Sequence, residues 1–557
     1  MPPWRPLWRR RKTSWAVRPR EVFRRPLRWF GTRWPTRPGP DFRGVRVAGM
    51  MWIGVWLLAM GWPGGPECPP SPLEAVREAG FFVQTEATRI ALEQSREDLL
   101  ALRVPAAEQA LRDLAERPDG AVAAYYHLAT AALLRVFLTD AGEAVAAFDG
   151  YTDSLAAALA RRPETRWRRY LAAESRLQQA LVAAKREKHV RAALLARSAY
   201  RQFAALQDEA PDFAEAYKGR GLLKLAIGSL PRGYRRLLRW LGFSGTVEAG
   251  LADLEVAAAC SRYNREEALA VLGLTEVLMN LEPARGLERF STLYAWHPDS
   301  PLFGYLYGFA LLRERQGRRA LEVLEAVAHR GDDPAYLYVD YADYYYAEAL
   351  FLHDRFEEAI PVFLRYAARH PGPALKALTY LHLGLAHEML GRREEALPYY
   401  RKVRATRALD SDVAAERQAL LRLARPMTPL DEALLRVENG FRSGRYAEAE
   451  ALLATLPVDG ARPEVQARAA FWQARLHHAL GRLDEALEGY RKVMSLQPND
   501  RDRYAPWSQL YIAAIYEQRG ERERALRAYE AALAFGSTYD YHQTLEQQAR
   551  AALEGLD

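Results

Sequence analysis

Ser244, within Gly242-Phe243-Ser244-Gly245, is the residue most readily read as a nucleophile. A nucleophilic serine needs a sharp strand-to-helix turn and a general base, and this stretch supplies neither. It reads as a helix stop and restart, with Ser244 near a cap. His382 and His387 are five apart, so they do not share a helix face as metal ligands would. His477 and His478 are adjacent and point apart. Glu394 and Glu395 fall at the solvated start of a helix, where the dipole favours negative charge. The sequence holds no phosphate-cradling Gly-rich loop ending in Lys and no His-Glu-x-x-His. Cys68 and Cys260 are too far apart for a disulfide to be assigned from sequence. The chain reads as non-catalytic, with no cofactor and no metal.

What the residues do specify is a repeat. Leu390-Gly391-Arg392-Arg393-Glu394-Glu395-Ala396-Leu397 recurs as Leu480-Gly481-Arg482-Leu483-Asp484-Glu485-Ala486-Leu487, and each copy continues into Tyr-Arg-Lys-Val, from Tyr400 and from Tyr490. A helix–turn–helix unit cannot bury its apolar face alone, so it must stack on copies of itself. Small residues in a first helix precede an Ala in the second by twelve: Ala347 and Ala359, Gly384 and Ala396, Ala474 and Ala486, Ala513 and Ala525. A small residue lets the two helices approach, and Phe363, Tyr400, Tyr490 and Tyr529 fill the space between units. Gly391, Gly444, Gly481 and Gly520 stand five residues before the second-helix Ala, where a helix end favours a left-handed residue. Two units depart. Asp354 replaces the turn glycine, and Gly317 sits only three residues before Ala320.

These units resemble the tetratricopeptide repeat, with weaker copies at about 301–330 and 429–456. The expected fold is all-α: an α-solenoid, a superhelix of tetratricopeptide-like helical hairpins. The resemblance implies that first helices line a concave groove in which positions two, five, nine and twelve meet a ligand. Carried onto this chain, those positions are Tyr341, Tyr344, Glu348 and Phe351, then Leu378, Leu381, Leu385 and Glu388. Arg468, Phe471, Arg475 and His478 follow, then Trp507, Leu510, Ala514 and Glu517. Such a surface suits protein or peptide partners with apolar anchors and some acidic groups.

A second resemblance rests on Gly221-Leu222-Leu223-Lys224-Leu225-Ala226-Ile227-Gly228-Ser229-Leu230-Pro231, then Leu237-Leu238-Arg239-Trp240-Leu241-Gly242-Phe243-Ser244-Gly245 and Glu248-Ala249-Gly250-Leu251. It is similar to the family of the human tetratricopeptide repeat protein thirty-nine and the fungal inclusion-body clearance protein, whose members act as adaptors. The stretch 231–245 reads as an inserted helix, Tyr234 to Leu241, with an arginine stripe for a membrane or partner contact or for solvent.

Charge divides the chain. The net charge is +8, yet residues 1–49 hold 14 Arg and Lys against 2 acids, leaving 64 bases and 68 acids elsewhere. The body is mildly acidic, so no nucleic acid is expected on it. Residues 1–49 are rich in Arg, Pro and Trp and read either as an untranslated stretch or as a basic arm. The apolar run 47–61 follows Arg43 and Arg46 and ends in Ala59-x-Gly61, as a signal peptide or signal anchor would. Membrane association through 47–61 and an extracytoplasmic body, periplasmic or in the cell envelope, are expected from it. The domain reading is 1–61 leader, 62–72 Pro/Gly linker, 73–260 N-terminal helical repeats with the insertion, and 261–557 repeat array. The function expected is a protein-binding scaffold or adaptor. The alternative is an intracellular adaptor at a membrane or lipid surface, using the basic arm.

Overall fold

The computed structural model describes residues 80–139, 142–230, 242–279, 282–404, 409–496, 503–536 and 539–556. The leader 1–61, the linker 62–72 and the expected helix Tyr234–Leu241 lie outside the described residues. What is described is an all-α solenoid of twenty-four α-helices.

Twenty-two of these form eleven hairpins. The first three are α1 (Glu86–Leu100) with α2 (Val104–Ala115), α3 (Ala121–Leu138) with α4 (Glu143–Ala160), and α5 (Arg166–Lys185) with α6 (His189–Glu209). Next come α7 (Glu215–Gly228) with α8 (Val247–Cys260), α9 (Arg265–Leu278) with α10 (Pro283–Trp296), and α11 (Pro301–Arg313) with α12 (Gly317–Arg330). Then follow α13 (Asp340–Leu352) with α14 (Phe356–Arg369) and α15 (Lys376–Met389) with α16 (Arg393–Lys402). A single helix, α17 (Asp410–Ala424), interrupts the series. The last hairpins are α18 (Pro429–Arg442) with α19 (Tyr446–Ala454), α20 (Pro463–Ala479) with α21 (Leu483–Leu496), and α22 (Tyr504–Gln518) with α23 (Arg522–Leu533). The helix α24 (His542–Leu556) closes the end.

One device makes many of the turns. The residue five before the buried second-helix Ala is left-handed, and the next N–H reaches back to close the first helix. At Gly391 φ is +73°, and the Arg392 N–H donates to the His387 carbonyl at 2.8 Å. Asp354 takes the same conformation with φ 61°, so the departure from glycine changes the residue and not the turn. In the α11–α12 hairpin the turn residue is Arg315, with φ 54°, and not Gly317. Gly317 has a different job: a Cβ there would lie 2.7 Å from the Ser443 carbonyl oxygen, to which the Gly317 N–H donates. The device also reaches the N-terminal region, where Leu102 and Glu187 are left-handed five residues before the buried Ala107 and Ala192.

The twelve-residue rule has a steric basis. A Cβ on Gly384 would meet the Tyr400 ring at 2.4 Å, and Ala396 is fully buried. First helices touch the first helices of neighbouring hairpins, whereas second helices are splayed, so first helices lie inside the curve. The apolar helix α3, long enough to cross a membrane, buries much of its surface in this packing. Successive coils also touch. The Leu337 N–H donates to the Leu102 carbonyl at 2.8 Å, and α18 docks against α13.

Candidate functional site

The candidate site is the inner face built by first helices α11, α13, α18, α20 and α22. Helix periodicity decides what each residue there can do, because one step along the chain rotates a side chain by about 100°. On α13 the partly exposed stripe is Tyr341, Tyr345 and Glu348, while Tyr344 and Phe351 are buried at 2% and 1% exposure. The Tyr344 ring packs edge-on against Phe363 and Tyr366 of α14, and Phe351 lies 4.8 Å from the His382 ring of α15. The same pattern recurs on α22, where Trp507, Tyr511 and Ala514 are partly exposed and Leu510 is buried. On α20, Arg468 and Arg475 are partly exposed and Phe471 is buried against Tyr504 and Trp472. Position five therefore belongs to interhelix packing, with position six in its place on the open face of α13 and α22.

Position twelve serves the partner helix. The Tyr400 hydroxyl donates to Glu388 at 2.6 Å, twelve residues back, and the Tyr529 hydroxyl donates to Glu517. His478 Nδ1 lies 3.2 Å from the Tyr490 hydroxyl, again twelve away. A buried tyrosine needs a polar partner for its hydroxyl, and position twelve supplies it. Glu388 also accepts from Arg393 Nη1 and from the Met427 N–H, both at 2.8 Å, so one carboxylate ties three segments. Tyr344, Phe351, Phe471, His478, Leu510 and Glu517, expected on a ligand surface, are held in the chain's own packing.

Glu348 is also engaged from within. Arg442 Nη2 of α18 donates to it at 2.5 Å, beside Asn439, whose amide donates to the Phe351 carbonyl and to Asp354. Glu438, one turn before Arg442, accepts from Arg503 at 3.2 Å and lies 3.6 Å from Arg468. Burial would raise the Glu438 pKa, but Arg503, Arg468 and Arg442 outweigh it and hold the carboxyl below its usual range. Arg475 stacks over the Tyr511 ring at 3.9 Å and over Phe441 at 4.9 Å. Burial, with Arg475 and Arg315 nearby, lowers the His478 pKa to about 4.

What the inner face leaves open is aromatic. Tyr305 of α11 lies 6.4 Å from Tyr341 and 5.8 Å from Tyr345, and Phe309 lies 5.1 Å from Tyr345. Tyr305 and Tyr345 are partly exposed, and among the described residues neither hydroxyl has a hydrogen-bond partner. Exposed Arg313 covers Phe309 at 5.2 Å. Tyr305 and Tyr345 were not among the residues expected from the sequence. The signal was present in the run Tyr344-Tyr345-Tyr346, but spacing alone does not say which of three adjacent rings faces inward.

Residues 377–403 and 467–500 match the tetratricopeptide repeat. The two matches fall on α15–α16 and α20–α21, where the twelve-residue rule is cleanest. No curated protein matches the sequence. Among solved structures, the human IFIT1 dimer with PPP-AAAA aligns with TM-score 0.29 at 14% identity, over 80% of this chain and 99% of that one. The P58(IPK) TPR domain aligns with TM-score 0.19 at 17% identity, over 69% and 98%. Aspartyl phosphate phosphatase F from Bacillus subtilis aligns with TM-score 0.28 at 14% identity, over 68% and 94%. TM-scores this low leave the fold resting on the helices themselves. The narrower likeness to the protein thirty-nine family has no support in these matches.

Candidate chemical residues sit in structural roles. The Tyr200 hydroxyl donates to the Ser244 carbonyl at 2.6 Å and lies 2.9 Å from its Oγ. His382 is buried among Phe351, Phe363 and Tyr344, and His387, whose pKa burial lowers, lies 3.1 Å from the Glu395 carboxylate and stacks on the Tyr399 ring. Among the described residues no group of three His, Cys, Asp or Glu could hold a metal ion.

Proposed function

We propose that this chain is a non-catalytic protein-binding scaffold, exported or tethered outside the cytoplasm, that takes a peptide segment along its inner face. The observation that carries the reading is the aromatic patch of Tyr305, Tyr341 and Tyr345 beside the Glu348–Arg442 pair. Rigid rings with a polar tip give large contact area at low entropy cost, and a helical scaffold holds them in place. A segment with apolar anchors and hydroxyl-seeking polar groups fits this patch. The extracytoplasmic placement is supported by the short apolar run that follows Arg43 and Arg46 and ends in Ala59-x-Gly61.

The test is capture of partners from the native envelope fraction. The double substitution Tyr305→Ala with Tyr345→Ala is expected to lower capture tenfold or more while circular dichroism stays unchanged. Undiminished capture by the folded variant removes the patch from consideration. Mass spectrometry of the mature chain addresses export: a start near Trp62 is expected, and an intact Met1 overturns it.

A further inference from the structure

Helix α17 has no hairpin partner. One side of it packs on α15 and α16, and its start meets α24, where the Thr544 N–H donates to Asp410 at 2.8 Å. The other side is open and apolar. Leu409 is 40% exposed, Val413 37%, Leu420 60% and Leu421 43%, and Ala424 is also exposed. Val413, Glu416, Arg417, Leu420 and Ala424 fall within one face of the helix at 100° per residue, and Leu409 caps its start in extended backbone. Three such apolar side chains on one stripe, with Leu409 at its start, are unusual for a helix left in water.

The order of the residues says what covers the stripe. About the midpoint between Glu416 and Arg417, Val413 mirrors Leu420 and Leu409 mirrors Ala424. A helix with that symmetry is complementary to itself when two copies run antiparallel across a two-fold axis. Val413 then meets the partner's Leu420, Leu409 meets the partner's Ala424, and Glu416 meets the partner's Arg417. The last pairing occurs twice and fixes register by charge. Arg417 already pairs with Asp540 at 2.9 Å, and a guanidinium has donors enough for a second carboxylate. Glu416 is partly exposed and makes no ion pair among the described residues.

We propose that α17 is a homodimerisation helix, pairing antiparallel with α17 of a second copy and supplying the partner that the hairpin series lacks there. One pair of four-turn helices buries little surface compared with a standard stable interface, so a reversible dimer in the micromolar range is expected. The proposal does not depend on the inner face binding anything.

Sedimentation of the purified full-length chain across a concentration series tests it. The wild-type chain should pass from monomer to dimer, and Leu420→Glu should weaken the dimer tenfold or more with an unchanged melting curve. Glu416→Arg sets like charges across the axis and should weaken it likewise. Chains carrying Glu416→Arg, mixed with chains carrying Arg417→Glu, should recover a mixed dimer. A wild-type chain that stays monomeric throughout overturns the proposal and leaves the stripe to a different partner. A dimer indifferent to Leu420→Glu also overturns it. A mixture no better than its two components overturns the antiparallel register.

Discussion

The Glu388 carboxylate shows how much one side chain can do inside this scaffold. It is 5% exposed and accepts from the Tyr400 hydroxyl, the Arg393 guanidinium and the Met427 N–H. Replacing it with Leu leaves three donors without their acceptor, each buried to some degree. A buried donor left unmade costs about 1–3 kcal/mol. Glu388→Leu should therefore lower Tm by several degrees in a thermal melt, and Tyr400→Phe, which removes one of the three bonds, should do less. Equal effects would show that the carboxylate does not act as the hub. His382 makes a second prediction at this scale. Burial lowers its pKa to about 4, against an ordinary 6.5. The folded state therefore holds the neutral ring, and the unfolded state takes the proton first as pH falls. Stability from this residue is complete above about pH 6.5 and is lost as pH drops towards 4. The size is on the order of 3 kcal/mol for a shift of that extent. His382→Leu should flatten the dependence of Tm on pH between 6.5 and 4, and an unchanged slope would place the titration elsewhere.

At the scale of the element, the turn device makes two opposite predictions. Gly391 has φ +73° with nothing within 4 Å of an added Cβ, so Gly391→Ala pays only backbone strain, about 1 kcal/mol. Glu187 is exposed and left-handed with φ 58°, so Glu187→Gly should raise stability by about 0.5–1 kcal/mol. Chemical denaturation of both variants checks the pair, and a loss at Glu187 would refute the common geometry. Ala396→Leu should destabilise by about 1–3 kcal/mol through overpacking, while the exposed Arg392 in the same turn tolerates Ala. The same elements show what a reader of the sequence can see. Gly391, Gly444, Gly481 and Gly520 are legible because a left-handed turn selects glycine. Leu102, Glu187 and Arg315 adopt that conformation with residues that carry no such mark, so the register of the N-terminal hairpins is hidden. The candidate site was half legible. Tyr341, Glu348, Arg468, Arg475 and Trp507 follow from the period. Tyr345 does not, because choosing it over Tyr344 depends on how α14 crosses α13. The acceptor role of position twelve is also invisible until the tyrosine it serves is placed beside it.

Over the whole molecule, the docking of α18 onto α13 joins the C-terminal hairpins to the preceding coil. Asn439 is fully buried and donates to the Phe351 carbonyl at 3.0 Å and to Asp354 at 2.9 Å. Repeat proteins lose cooperativity when an interface between units weakens. Asn439→Ala with Arg442→Ala should split one calorimetric transition into two, with residues after α17 melting first. A single sharp transition in the variant would mean that α17 alone transmits the coupling.

A stack of hairpins joined only in sequence behaves as a spring, whose pitch changes at little cost. This one has its coils fastened sideways, at Leu337 to Leu102 and at Arg445 to the Leu352 carbonyl, the latter at 2.7 Å. Stretching the coil would require breaking those lateral bonds before any hairpin opened. The width of the inner face is then fixed, and on the proposed reading a segment must fit it as it stands or thread in from an end.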